Sequence, residues 1–226
     1  MNAGGGVERK SDERSLSYLL IQNDHRGYNM AEFKFVLQKI PGLYVIEPKV
    51  YGDERGFFME YYNQEAFEKG GIGLPFVQDN HSRSGRGMLR GLHFQKRHPQ
   101  GKLIRVVAGG VYDVAVDLRR GSPTFGRWFG VELRAAEHKM VYVPRGCAHG
   151  FLTLTDSVDF MYKCTDYYDA SDEAGLAWDD PTVGVDWPLD KLGADGRKTL
   201  KISERDKKWP KLHGLDVVFE YERYKI

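Results

Sequence analysis

Cysteine is nearly absent from this chain: Cys147 and Cys164 are the only two in 226 residues. Two thiols make no disulfide framework, and a reduced, cytoplasmic setting is expected. No zinc spacing is present. Long apolar runs are missing too. None approaches the ~20 residues that a membrane helix needs. The stretch Tyr18-Leu19-Leu20-Ile21 is too short for the apolar segment of a secretory signal. The chain is therefore expected to be soluble, with no membrane partner. Charge of one sign is also lacking: 33 Lys and Arg stand against 32 Asp and Glu. That balance offers no global field for nucleic acid, so no nucleic-acid partner is expected. Beyond Gly4, Gly5 and Gly6 there is no low-complexity tract, and no internal repeat.

What the chain does have is strand-like texture. Residues 1–29 carry mixed charge and few apolar side chains, and are expected to be a disordered or dispensable lead. From Phe33 to about Tyr168, short alternating runs rich in β-branched and aromatic residues are separated by glycine, proline or polar turns. Strands are expected near 33–37, 43–50, 57–62, 88–95, 102–108, 111–118, 128–134, 140–143, 150–154 and 158–164. Gly109-Gly110 reads as a hairpin turn between two of them. Glu65 to Lys69, before Gly70-Gly71, reads as a short helix with a glycine stop. The fold class is all-β: an antiparallel sandwich or barrel of the jelly-roll type, with short peripheral helices. The expected division is a lead over 1–29, a barrel over 30–188, and a helical or extended segment over 189–226 packed on the barrel.

Two histidines sit in glycine-bounded, strand-like segments, His93 in Arg90-Gly91-Leu92-His93-Phe94-Gln95 and His149 in Pro144-Arg145-Gly146-Cys147-Ala148-His149-Gly150. A lone histidine in an apolar strand is more often structural than chemical. Two in similar settings, with Lys102 and Tyr162 on other strands, make a set suited to proton transfer beside a carbonyl. Imidazoles, with a reference pKa of ~6.5, exchange protons readily near neutral pH. The bland readings are a snorkelling Lys102 and a core Tyr162. Arg55 and Arg90 could each grip a diphosphate in bidentate fashion, or simply form surface ion pairs. Arg90 and His93 are three residues apart and so face opposite ways in a regular strand. They can share a pocket only if the strand is irregular near Gly91; otherwise they serve pockets of different subunits. A metal reading is weak, because Gln95 stands where a second histidine would complete a ligand pair.

Several segments together resemble the dTDP-4-dehydrorhamnose 3,5-epimerase family. They are Gly52-Asp53-Glu54-Arg55-Gly56-Phe57-Phe58, Gln78-Asp79-Asn80-His81-Ser82, Leu89-Arg90-Gly91-Leu92-His93-Phe94-Gln95 and Gln100-Gly101-Lys102-Leu103. Further on come Val111-Tyr112-Asp113-Val114-Ala115-Val116-Asp117, Ser122-Pro123-Thr124-Phe125-Gly126, Ala148-His149-Gly150-Phe151 and Tyr162-Lys163. Ser203-Glu204-Arg205-Asp206 resembles a late family motif. The likeness runs over about 33–208. It implies a cupin-type jelly-roll barrel, a homodimer, and no cofactor or metal.

By the same resemblance, His93 is the base, Asp180 orients its imidazole, Tyr162 is the acid on the opposite face, and Lys102 sits near the C4 oxygen. His149 lies beside the sugar hydroxyls. Arg55, Glu60, Gln78, Asn80, Arg90 and Glu173 are expected to contact nucleotide or diphosphate, with Tyr168 stacking on the base. Strand exchange near 55–60 would carry Arg55 and Glu60 to the other subunit's pocket. The implied activity is inversion of C3 and C5 of a dTDP-linked 4-keto-6-deoxy sugar through an enolate. The alternatives are a single-centre epimerase, a ketoisomerase on a related nucleotide sugar, and a sugar-binding barrel without catalysis. Cys147 replaces a common family aromatic.

Overall fold

The computed structural model describes residues 8–11, 17–21, 32–193, 195–216 and 219–224, the first two stretches as backbone only. Two antiparallel sheets face one another. The larger runs β1 (Glu8–Ser11), β2 (Ser17–Ile21), β3 (Phe33–Leu37), β4 (Tyr44–Pro48), β12 (Met140–Val143), β9 (Lys102–Ala108), β14 (Val158–Cys164) and β7 (Gln78–Ser84) in spatial order. The smaller runs β11 (Trp128–Arg134), β10 (Gly110–Asp117), β13 (Cys147–Thr153), β8 (Met88–Gln95) and β15 (Glu173–Gly175), with β16 (Lys201–Ile202) beside β8. A separate hairpin joins β5 (Tyr51–Asp53) to β6 (Gly56–Phe58). This is the jelly-roll barrel that the alternating runs predict.

Both sheets are covered on both faces over their central strands, so β12 and β13 are buried at every position. Between the sheets lie Ile104, Val106, Ala115, Val141, Val143, Phe151 and Phe160. Outside the larger sheet, Phe33, Phe35, Ile46 and Tyr142 pack against Ala66 and Phe67 of α1 (Gln64–Lys69). Asn63 caps that helix by accepting from the Ala66 N–H at 3.1 Å. At its far end Gly71 takes the left-handed conformation (φ 92°), whereas Gly70 makes room for the Phe35 ring. Outside the smaller sheet, Leu89, Phe94, Val114 and Leu152 are covered by Leu176, Trp187, Leu192, Phe219 and Tyr224 from the C-terminal third.

Several expectations are corrected. Gly109-Gly110 is no hairpin: β9 pairs with β12 and β14, and β10 with β11 and β13, so the turn carries the chain from one sheet to the other. A jelly roll needs such crossings, and a glycine pair alone does not tell a crossing from a hairpin. The strand expected at 57–62 is only Gly56–Phe58, the return arm of an exposed hairpin. The polar strand β7 carries almost no apolar signal, because its outward residues Asp79, His81 and Arg83 face solvent. Within the 1–29 lead, expected to be disordered or dispensable, Glu8–Ser11 and Ser17–Ile21 are strands that extend the sheet from β3; the rest of 1–29 lies outside the described residues. In the tail, Phe219 is fully buried and Glu220 bridges Arg120, while Val217 and Val218 lie outside the described residues. No helix is long and apolar enough to cross a membrane among the described residues.

Candidate active site

The space between the sheets opens at one end into a cavity of about 260 Å³. His93 and His149 enter it from the adjacent strands β8 and β13, where they are directly opposite partners. Lys102 and Tyr162 enter it from β9 and β14 of the facing sheet. The imidazole, the ammonium and the phenol therefore share one chamber, with the two histidines on one wall and Lys102 and Tyr162 on the other. Arg90, Tyr168 and Glu173 complete its polar lining, together with Arg205 and Ser82.

Arg90 and His93 reach the same cavity because β8 is bulged. Against β13, His149 pairs with His93 and Phe151 with Arg90, so three residues of β8 span two of its partner. The extra residue falls at Gly91 and Leu92. Gly91 has φ 126°, and a Cβ there would lie 2.6 Å from the Gly150 Cα. Gly150 is equally constrained, since its Cβ would meet the Arg90 carbonyl oxygen at 2.6 Å. Gly150 is thus demanded by the neighbouring backbone as well as by space for a ligand.

His93 is oriented by Asp206. Its Nε2 lies 2.7 Å from Asp206 Oδ1, which accepts the ring proton and leaves Nδ1 as the basic nitrogen. The Gly91 N–H at 3.4 Å and the Trp209 indole N–H at 3.2 Å also point at this carboxylate. Burial alone would raise the carboxyl's pKa. The hydrogen bond and charge of His93, with the two N–H donors, more than offset that and bring it down to about 2. His149 has a matching partner in Asp113, with Nε2 to Oδ2 at 2.9 Å. Asp113 comes from β10, on the face that also carries Val111 and Ala115.

On the opposite wall, burial pushes the Tyr162 phenol up to about 12, so it stays protonated across the neutral range. Burial depresses the Lys102 ammonium below its ordinary value, while Cys164, Asp113 and Glu173 act in the other direction. Its Nζ lies 6.0 Å from the centre of the Tyr162 ring. At the mouth, Glu173 Oε2 accepts from the Tyr168 hydroxyl at 2.9 Å and from Arg205 at 2.5 Å. Tyr168 itself is half exposed.

The remaining expected site residues lie elsewhere. Asp180 does not touch His93. Its oxygens accept from the backbone N–H groups of Thr182, Val183 and Leu212, at 2.7, 3.0 and 2.5 Å, pinning a turn to the C-terminal segment. The carboxylate bonded to His93 is thus Asp206, not the expected Asp180. Gln78 and Asn80 lie on the same face of β7 as the cavity-lining Ser82, and Gln78 accepts from the Tyr168 backbone N–H at 2.9 Å. Neither lines the main cavity. Asn80 borders a smaller neighbouring recess with Tyr61 and Tyr162. Glu60 accepts from Asn63. Arg55 sits on the β5–β6 hairpin, its side chain 85% exposed and paired with Asp53.

Sequence reasoning missed Asp206, Arg205 and Asp113 as site residues. The signal for the first two was the Ser203-Glu204-Arg205-Asp206 segment, noted as a motif but given no role. Cys147 and Cys164 are both unpaired and buried, and burial raises both thiols. Among the described residues, no group of three or more His, Cys, Asp or Glu side chains is placed to hold a metal ion. Gln95 instead bonds the His98 and Tyr167 carbonyls and the Asp169 N–H.

Comparisons with known proteins converge on one family. The model of the dTDP-4-dehydrorhamnose 3,5-epimerase family matches residues 37–214. The dTDP-4-dehydrorhamnose 3,5-epimerase of Methanothermobacter thermautotrophicus is 49% identical over 81% of this chain and 96% of its own length. The dTDP-6-deoxy-D-glucose-3,5-epimerase of Legionella pneumophila, solved with dTDP-4-keto-L-rhamnose, superimposes with a TM-score of 0.78. It is 45% identical over 84% of this chain and 98% of its own. A 3'-monoepimerase from Streptomyces bikiniensis, solved with dTDP-quinovose, is more distant, 34% identical over 82% and 92% of the two chains, with a TM-score of 0.72. The family model spans β4 to β16, the cavity and the segment that brings Asp206 to His93, and the chain belongs to the dTDP-4-dehydrorhamnose 3,5-epimerase family.

Proposed function

We propose that this protein inverts C3 and C5 of dTDP-4-dehydro-6-deoxy-D-glucose, giving dTDP-4-dehydro-L-rhamnose, by proton removal and return through an enolate. The reading rests above all on one observation: His93 and Tyr162 line a single cavity from opposite sheets, with Lys102 beside the phenol. A hydrogen on C3 or C5 is acidic because its loss leaves an enolate delocalised onto the C4 oxygen. His93 Nδ1 takes that proton. The Lys102 ammonium, with His149, stabilises the oxyanion as charge develops. The Tyr162 phenol then protonates the opposite face of the same carbon, the C4 ketone re-forms, and inversion is complete. Tyr162 regains its proton from solvent and His93 loses one, so each centre ends with a solvent hydrogen. Asp206 holds the ring and stabilises its protonated form between the two events. No change of oxidation state occurs, so the scheme calls for no redox cofactor.

Arg90, with Arg205 close to the mouth, would hold the diphosphate, and Tyr168 would stack on the base beside Glu173. We read Arg55 and Glu60 as contributions to the cavity of a second copy in a homodimer. What supports this is the hairpin that carries Arg55, which exposes Phe57 by 60% and Phe58 by 70% and does not reach its own cavity. Mixing inactive Arg55→Ala and His93→Ala proteins should restore part of the activity if the sites are shared. The setting is taken as cytoplasmic, in keeping with two unpaired cysteines.

Incubation with the 4-keto-6-deoxy sugar nucleotide in heavy water tests the whole reading. Deuterium at both C3 and C5 of an inverted product is expected. Label at one carbon only would favour a single-centre epimerase, the activity carried by the Streptomyces bikiniensis relative. Binding without label would leave a sugar-binding barrel.

A further inference from the structure

We infer that Trp209 is a positioning residue for the His93 base, acting through the carboxylate of Asp206. The inference deepens the proposed epimerase reading and depends on it for its catalytic consequence. The geometry is specific. The Trp209 indole N–H donates to Asp206 Oδ1 at 3.2 Å, and that same oxygen accepts from His93 Nε2 at 2.7 Å. The indole also stands edge-on to the imidazole, ring centres 6.1 Å apart.

Local sequence holds the indole there. Trp209 precedes Pro210, which favours the extended conformation it adopts (φ −62°, ψ 141°). The Pro210 carbonyl accepts from the Ala177 N–H at 2.9 Å, tying the segment to the end of β15. The ring lies on Gly175, where a Cβ would sit 2.5 Å from two indole carbons, so only glycine fits beneath it. Gly175 is the strand partner of His93. Strand, glycine, indole, carboxylate and imidazole thus form a closed circuit.

One oxygen that accepts two N–H donors is fixed in place, and its negative charge is shared between them. Without the indole donor, the carboxylate turns more freely and offers its charge more fully to His93. Turnover should fall, and the acid limb of the pH–rate profile should move to higher pH. Other charged or titratable groups facing the ring are Arg205 beside Asp206, Arg90 on its own strand, His149 and Glu173 on neighbouring strands, and Lys102, Tyr162 and Tyr168 across the cavity. None of these changes in the variant.

The test uses Trp209→Phe, which keeps a ring over Gly175 and removes the donor. A fall in kcat of about 3- to 10-fold is expected, the equivalent of one ordinary hydrogen bond, with KM within about twofold and the acid limb displaced upward. Loss of packing alone would lower activity without moving the limb. A second readout needs no substrate and so separates this inference from the epimerase reading. In nitrogen-15-labelled wild-type protein, the Trp209 indole signal should shift with the same inflection as the His93 ring signals, and that dependence should shrink in Asp206→Asn. The signal is identified by its loss in Trp209→Phe or, should that variant not fold, by its proximity to the His93 ring protons. An indole signal that stays flat while His93 titrates, or a Trp209→Phe profile whose acid limb overlays the wild type, overturns the inference.

Discussion

Asp206 Oδ1 lies 2.7 Å from His93 Nε2, although 113 residues separate the two in sequence. Asp180, which the family resemblance led us to expect in that place, is spent on three backbone N–H groups instead. The two carboxylates should therefore fail in different ways. Asp206→Asn should slow exchange of the C3 and C5 hydrogens by ~10²–10⁴-fold, the range for a disabled general base, and should also lower the thermal midpoint at neutral pH. Asp180→Asn should leave kcat near the wild-type value and cost about 1–3 kcal/mol of stability. Exchange rates and thermal melts of both variants decide it.

The low pKa of Asp206, about 2, carries a stability consequence with a definite sign. A carboxyl held below its unfolded value of ~3.9 stabilises the fold fully above that value and loses the contribution as pH falls through about 2. The stability difference between wild type and Asp206→Asn should accordingly be level above about pH 5 and shrink between about pH 4 and 2. Denaturant unfolding at a series of acid pH values measures it.

Tyr162 should act as a neutral acid. With its phenol pushed up to about 12, it should show no phenolate absorbance between pH 6 and about 10.5. Tyr162→Phe should retain a larger share of hydrogen exchange than of completed inversion, because abstraction by His93 survives while delivery from the other face does not. Comparing label uptake with stereochemical outcome in the same reaction separates the two steps.

Lys102 sets function against stability. Burial disfavours its ammonium, so replacing it with a similarly sized apolar chain removes a desolvation cost. Lys102→Met should lose about 10²-fold or more in turnover, the scale of a missing oxyanion donor. It should also unfold at the same or a higher temperature. The sign with pH follows: a depressed lysine lets the wild type gain stability as pH rises toward ~10.4, and Lys102→Met should lack that gain.

Gly91 tests the bulge. Its positive φ and the 2.6 Å approach to Gly150 mean that Gly91→Ala must move backbone on two strands. A destabilisation of about 2–4 kcal/mol is expected from strain and overpacking together, with Arg90 and His93 no longer sharing a cavity. Loss of nucleotide affinity alongside lost exchange would mark that separation; a merely loosened fold would recover both on cooling.

Much of this was legible in the chain. The alternating runs gave the two-sheet barrel, because its strands bury one or both faces. The motifs holding His93, Lys102, His149 and Tyr162 named four side chains that the fold brings into one cavity. The conflict between Arg90 and His93 on a regular strand left two outcomes, an irregularity near Gly91 or pockets of different subunits, and β8 is bulged there. What escaped was what depends on distant pairing. β7 carries polar residues on both faces and imitates a loop. Gly109-Gly110 looks the same whether the chain folds back on itself or crosses between sheets. No spacing ties Asp206 to His93, since their meeting depends on β16 lying beside β8 and on Trp209 seating over Gly175.

The central claim, that His93 is the base for both carbons, is tested most directly by one comparison in heavy water. Wild-type protein and His93→Ala are incubated with the 4-keto-6-deoxy sugar nucleotide, and deuterons at C3 and C5 are counted by NMR. The account predicts label at both carbons with the wild type and none above background with a folded His93→Ala. Label appearing in that variant at the wild-type rate would contradict it.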